Sequence, residues 1–154
     1  SRALADHLSA RFHALPRCAD VVVGTYHQIV MRLLAEAGIG GSLPENWDEF
    51  NRDLPDLLLA AMDRLGEERV RAYDALVVDE AQDLMHQSFF EALDLLLKGG
   101  LKKGRWLMAV DPTQAVFADQ FAHDLFAKMS RDYPQLNLTV NCRNTRQVAH
   151  TFKG

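Results

Sequence analysis

Two segments, DALVVDE (74–80) and RWLMAVD (105–111), are apolar runs of strand length that end abruptly in carboxylate. Apolar residues at consecutive positions leave no polar face for water. Such strands belong to a parallel sheet buried on both sides, with helices as the cover. DVVVGTYH (20–27), closed by Gly24, and QLNLTVN (135–141) read as two further strands. Helical spacing fills the intervals. Leu4, Leu8, Phe12 and Leu15 recur every three or four residues until Pro16. HQIVMRLLAEAG follows Thr25 as a candidate N-cap and stops at Gly38. IGGSLPENWDEF (39–50) has loop composition, and DLPDLLLAAMDRLG then predicts a helix with Asp53 as cap and Pro55 in its first turn. SFFEALDLLLKGG and QFAHDLFAKMSRDY predict two more helices, and a last one begins near Thr145. Strands alternating with helices predict an α/β fold.

In such folds ligands sit beyond the carboxyl ends of the strands. All four expected ends are polar: Gly24–His27, Asp79–Asp83, Asp111–Gln114 and Asn141–Arg143. The 154 residues suit one domain, expected over 1–154, and carry a net charge of −4. That balance argues against a module coating nucleic acid by bulk electrostatics, but leaves room for a local cationic groove. Two cysteines, Cys18 and Cys142, match no metal or redox spacing. Without a signal-like N-terminus or a run of about 18 apolar residues, the expectation is a cytoplasmic protein that does not enter the membrane.

Asp79 stands where its strand leaves the sheet. A carboxylate held there suits hydrated Mg²⁺, which binds through one or two carboxylates plus substrate phosphates. Glu80 beside it is placed to accept a proton from an attacking water. Equally, Asp79 caps the next helix while Glu80 and Asp83 form its solvated first turn. The third strand repeats the pattern, with Asp111 at the tip and Gln114 three residues on. Gln114 can hydrogen-bond a phosphate oxygen or a water, or simply lie exposed on an Asp-Pro turn. Arg143 has the planar fork that suits phosphate, and alone it is an ordinary surface ion-pair partner. Together they supply what phosphoryl transfer requires: a metal seat, a base, a phosphate sensor and a cation.

These segments resemble, in order, the motifs of superfamily 1 DNA helicases of the UvrD/Rep type. LVVDEAQD resembles motif II, the Walker B box; AVDPTQAVF resembles motif III; LTVNCRNTRQVA resembles motif IV. VGTYHQIVMRLL resembles the motif lining the single-strand channel, and RALADHL the tail of motif Ia. The spellings DEAQD and NCRNTR are similar to the branch fused to a nuclease-related domain. The resemblance implies a RecA-like ATPase domain that couples ATP hydrolysis to movement on single-stranded DNA, as in DNA repair. It implies that Asp79 holds Mg²⁺, Glu80 activates water, and Gln114 and Arg143 contact the γ-phosphate. It also implies that Gln82 and Asp83, turned outward, couple the ATP site to neighbouring motifs, and that Thr25, Tyr26, His27 and Phe117 meet DNA. Departures are Val110 before Asp111 in place of Gly, ADQF in place of an aromatic-rich tail, and Cys142 in place of Tyr.

No G-x-x-x-x-G-K-[ST] occurs, so no loop is present to cradle phosphates. Motifs V and VI are also absent. The expectation is an incomplete RecA-like domain running from the tail of motif Ia to motif IV, lacking the P-loop strand. Residues 38–72 would form a short helical connection in place of a large inserted subdomain. The isolated chain would not hydrolyse ATP, and it would self-associate through an exposed sheet edge. The competing expectations are a non-catalytic DNA- or nucleotide-binding module and a protein-interaction domain.

Overall fold

The computed structural model describes residues 2–16, 18, 20–40, 46–111 and 123–138. Their elements run α1 (Arg2–His13), α2 (Tyr26–Glu36), α3 (Trp47–Leu65), α4 (Glu67–Val70), β1 (Ala75–Val78), a 3-10 turn (Ala81–Leu84), α5 (Gln87–Leu96), α6 (Gly100–Lys103), β2 (Arg105–Met108) and α7 (His123–Asp132). The architecture is mixed α/β and mostly helical, with one small parallel sheet. The chain divides into two compact units, Ser1–Phe121 and Ala122–Gly154, and α7 is the described helix of the second.

Local chemistry fixes the helix ends. Thr25 caps α2 by accepting from the Gln28 amide at 3.3 Å, while the Gln28 side chain accepts from the Thr25 amide at 2.9 Å. This reciprocal pair satisfies two amides that a helix start leaves open. At the other end Gly38 takes φ 66°, and the Ile39 amide reaches back to Leu34 O at 2.8 Å.

Helix α3 begins well before the expected Asp53 cap. Asn46 Oδ1 accepts from the amides of Asp48 and Glu49 at 3.0 and 3.3 Å. Asp48 and Glu49 add negative charge to the first turn, where the helix dipole favours it. Pro55 therefore lies inside the helix and deprives the Asn51 carbonyl of its usual donor. Burial of Leu54 and Leu58 on either side offsets that loss.

The core gathers Val30, Leu34 and Ala37 from the α2 segment with Leu54, Leu58 and Ala61 of α3, Val70 of α4, and Ala92 and Leu96 of α5. Spacings of three and four keep each helix's set on one face. Residues 38–72, expected as a helical connection, supply four of these side chains.

Strand β1 pairs with β2 in parallel, from Ala75 opposite Arg105 to Val78 opposite Met108. Helices α5 and α6 form the crossover. At Gly100 (φ 62°) a Cβ would stand 2.5 Å from Asp94 Oδ1, the atom that accepts the Leu101 amide. Among the described residues the sheet has two strands, where four were expected. Residues 21–25 form no ladder: the Val21 amide closes a turn on Cys18 O, and Tyr26 and His27 open α2. Residues 135–138 are exposed and likewise form no ladder among the described residues, while 139–141 and the helix expected from Thr145 lie outside the described residues. An apolar run becomes a strand only where a neighbouring backbone takes its N–H and C=O groups. Among the described residues the expected two-sided cover is also absent, because Leu76, Val78, Trp106 and Met108 are half-buried while Ala75, Val77, Arg105 and Leu107 are exposed.

The two possible starts of α3 are separable by mutation. Asn46→Ala is expected to lower stability by about 1 kcal/mol, and Asp53→Ala to stay within about 0.5 kcal/mol of the parent. Urea unfolding followed by circular dichroism measures both; the reverse order would place the cap at Asp53.

Candidate functional site at the strand tips

Past Val78 the chain leaves the sheet through Asp79 and Glu80 and enters the 3-10 turn. Glu80 is the one described non-glycine residue with positive φ (φ 52°, ψ 41°), a conformation costing an L-residue about 1–2 kcal/mol. Several hydrogen bonds hold it there. Its amide donates to Asp79 Oδ1 at 3.0 Å, and its carbonyl accepts from the Asp83 amide at 3.1 Å. The Ala81 amide donates to Ala109 O at 3.0 Å, and the Ala109 amide to Val78 O at 2.8 Å.

Gln82 joins the two tips. The residue is 3% exposed. Nε2 donates to Glu80 Oε2 at 2.5 Å, and Oε1 accepts from the Asp111 amide at 3.0 Å. A buried amide with both ends engaged is a rigid strut, since losing either bond would leave polar atoms unpaired in a dry site. Gln82 thus points inward, against the expectation that it turns outward; Asp83 does face solvent. Burial decides the difference, because the amide has partners on both strand tips and the Asp83 carboxylate has none among the described residues.

The carboxylates fit the cation the sequence implies. Asp79 is exposed, with Oδ1 engaged by the Glu80 amide and Oδ2 without a protein partner among the described residues. Glu80 Oε1 is similarly open. A fixed carboxylate with one free oxygen suits Mg²⁺ when phosphates and waters complete its shell. Among the described residues no group of three or more His, Cys, Asp or Glu forms a metal cage by itself.

Thr25, Tyr26 and His27 engage helices. The Thr25 hydroxyl is held in the α2 capping box. Tyr26 packs edge-on against Phe89 at 5.1 Å, and burial pushes its phenol well above the ordinary value. Its hydroxyl is buried without a hydrogen-bond partner among the described residues. His27 packs edge-on against Trp47 at 4.7 Å, and its Nε2 bonds Asn51 Oδ1 at 2.9 Å. Trp47 remains 41% exposed. Of the three candidate contacts, His27 alone stands beside an exposed aromatic ring. Gln114, Phe117 and Arg143 lie outside the described residues.

Sequence inspection singled out neither Trp47, Asn51 nor His86. His86 caps α5 through Nδ1, which accepts from the Phe89 amide at 3.2 Å and meets Ser88 Oγ at 2.8 Å. A shallow cavity beside it is lined by Asp48, Asn51, Arg52, His86 and Ser88. Burial, and secondarily the charge of His27, hold the His86 pKa below its usual 6.5. The available signal was an imidazole three residues before the Phe89 amide it caps, a position where Asn, Asp, Ser and Thr are the familiar choices.

No family model matches the sequence, and no curated protein or solved structure is significantly similar to it.

Because the folded-state pKa of His86 is depressed, the unfolded chain binds more protons in the window below pH 6.5. Stability is then full above that pH and falls as pH drops through 6.5 towards the depressed value. His86→Asn retains a capping oxygen and removes the imidazole. Urea midpoints between pH 7.5 and 5 are expected to fall less steeply in His86→Asn than in the parent; identical slopes would show that His86 does not contribute.

Proposed function

We propose that this chain carries the water-activating half of an ATP site, in the first RecA-like domain of a UvrD/Rep-like DNA helicase or translocase acting in the cytoplasm. The observation supporting it is the pair of acidic tips on adjacent parallel strands, Asp79–Glu80 and Asp111, joined by the buried Gln82. The motif order in the sequence points the same way.

Asp79 would hold Mg²⁺ through its free oxygen. The bound ion neutralises phosphate charge and so eases phosphoryl transfer. Glu80 takes the proton of the attacking water, and Gln82 keeps the Glu80 carboxylate fixed relative to the β2 tip. Gln114 and Arg143 would contact the γ-phosphate. His27, with Trp47 beside it, would meet single-stranded DNA, since an exposed aromatic accepts any base on its face. Tyr26 acts as a packing residue. The sequence holds no phosphate-cradling loop, so this chain by itself binds ATP weakly and does not turn it over.

Paramagnetic broadening by Mn²⁺ tests the site without requiring turnover. With ATP present, Mn²⁺ is expected to broaden the amide resonances of Val78 to Ala81 selectively, and Asp79→Asn to abolish the effect. Broadening centred on other carboxylates, or unchanged in Asp79→Asn, contradicts the assignment. Magnesium-dependent hydrolysis by this chain that Glu80→Gln removes would show that no further cradle is needed.

A further inference from the structure

One face of the β1–β2 pair is open to solvent, yet its centre is apolar. Val77 and Leu107 are register partners, exposed to 77% and 62%, with Ala75 and Ala109 exposed beside them. Single exposed leucines are common on any surface. A paired Val and Leu at the middle of a parallel sheet is different, because such strands ordinarily bury both faces.

Charge is divided along the same face. Arg105 lies opposite Ala75 at the amino ends of the strands. Asp79, one residue past the end of β1 and also exposed, lies at the carboxyl end with Glu80 beside it. Arg105 makes one bond, from Nε to Asp74 O at 3.4 Å, while the Asp74 carboxylate is paired with Lys98 at 2.9 Å. The terminal guanidinium nitrogens of Arg105 have no hydrogen-bond partner among the described residues, while the Lys98 hydrogen bond, with the charges of Lys98 and Arg105, lowers the Asp74 pKa.

We propose that this face binds a second copy of the chain in a two-fold, antiparallel, face-to-face dimer. Val77 and Leu107 pack on their counterparts, and Arg105 of each copy pairs with Asp79 of the other, so that association and the cation binding proposed at Asp79 compete for the same carboxylate oxygen. The rows of Arg105 and Asp79 are separated by four residues along the strand, about 13 Å at the usual rise. A two-fold axis through the Val77–Leu107 row sets one copy's basic end over the other's acidic end. Stacked sheets lie about 10 Å apart, a gap an arginine and a carboxylate span together. Parallel stacking would instead set Arg105 over Arg105. Self-complementarity of this kind is what an isologous interface requires. Pairing at the strand edges, the association expected from sequence, leaves Val77 and Leu107 uncovered. The patch is well below the roughly 800 Å² per partner of a standard interface, so the dimer is weak, with a dissociation constant of roughly 0.1–1 mM.

Analytical ultracentrifugation up to about 1 mM chain tests this, with circular dichroism confirming that each variant is folded. The dimer fraction is expected to rise with concentration and fall with salt. Arg105→Asp and Asp79→Arg should each weaken association about ten-fold, and the double exchange should restore it; Val77→Lys should abolish it. A monomer at every concentration, which leaves the face to a different chain, overturns the proposal. So does a dimer that Val77→Lys leaves intact, which would mean edge pairing, or a double exchange that restores nothing.

Discussion

The carboxyl ends of β1 and β2 are held together by one buried amide, that of Gln82. A sheet of two four-residue strands is marginal by itself, and beyond Met108 the regular ladder gives way to a few single bonds. Gln82 takes over there, reaching Glu80 on one tip and the Asp111 amide on the other. Its removal would forfeit two hydrogen bonds in a dry place, a loss of about 1–3 kcal/mol. It would also release the Glu80 carboxylate, which Gln82 holds through Oε2. Strain at an acidic residue next to the proposed cation seat is the pattern of a site whose geometry is maintained against local preference.

The helices supply the stability that the sheet lacks. Helices α2, α3 and α5 bury one apolar face each. Arg71, beyond α4, donates to the carbonyls of Asp94 and Leu97 at 2.6 and 3.0 Å, which ties the last turn of α5 to the chain entering β1. At the other end of α5, His86 caps the helix immediately after the 3-10 turn. The strand tips and the start of α5 are thus successive parts of one short stretch, Asp79 to Phe89. Protonation at His86 acts close to the carboxylates in sequence, and burial, with the charge of His27 second, opposes it.

Much of this was legible in the sequence where the signal is local. Thr25 as N-cap, Gly38 as helix stop and the cores of β1 and β2 all follow from residues within one or two turns of each other. That only two of the four expected strands pair among the described residues was not legible. Val21–Val23 and Gln135–Leu138 have strand composition, but pairing depends on a distant backbone. Loop-like composition over 39–50 concealed the Asn46 cap, and Pro55, read as a first-turn residue, lies mid-helix because Leu54 and Leu58 bury the stretch around it. The acids at the β1 tip were recognisable from their place behind an apolar run. The inward turn of Gln82 was not, since it depends on an amide 29 residues away.

Backbone hydrogen exchange at Asp111 reads the Gln82 strut itself, because its N–H is the group through which Gln82 joins the strand tips. In the parent chain this amide should be protected well beyond an exposed loop amide. In Gln82→Leu it should exchange at least about ten-fold faster while the Val30 and Leu58 amides keep their protection. An Asp111 amide that exchanges at loop rates in the parent, or is unchanged by Gln82→Leu, would contradict the account.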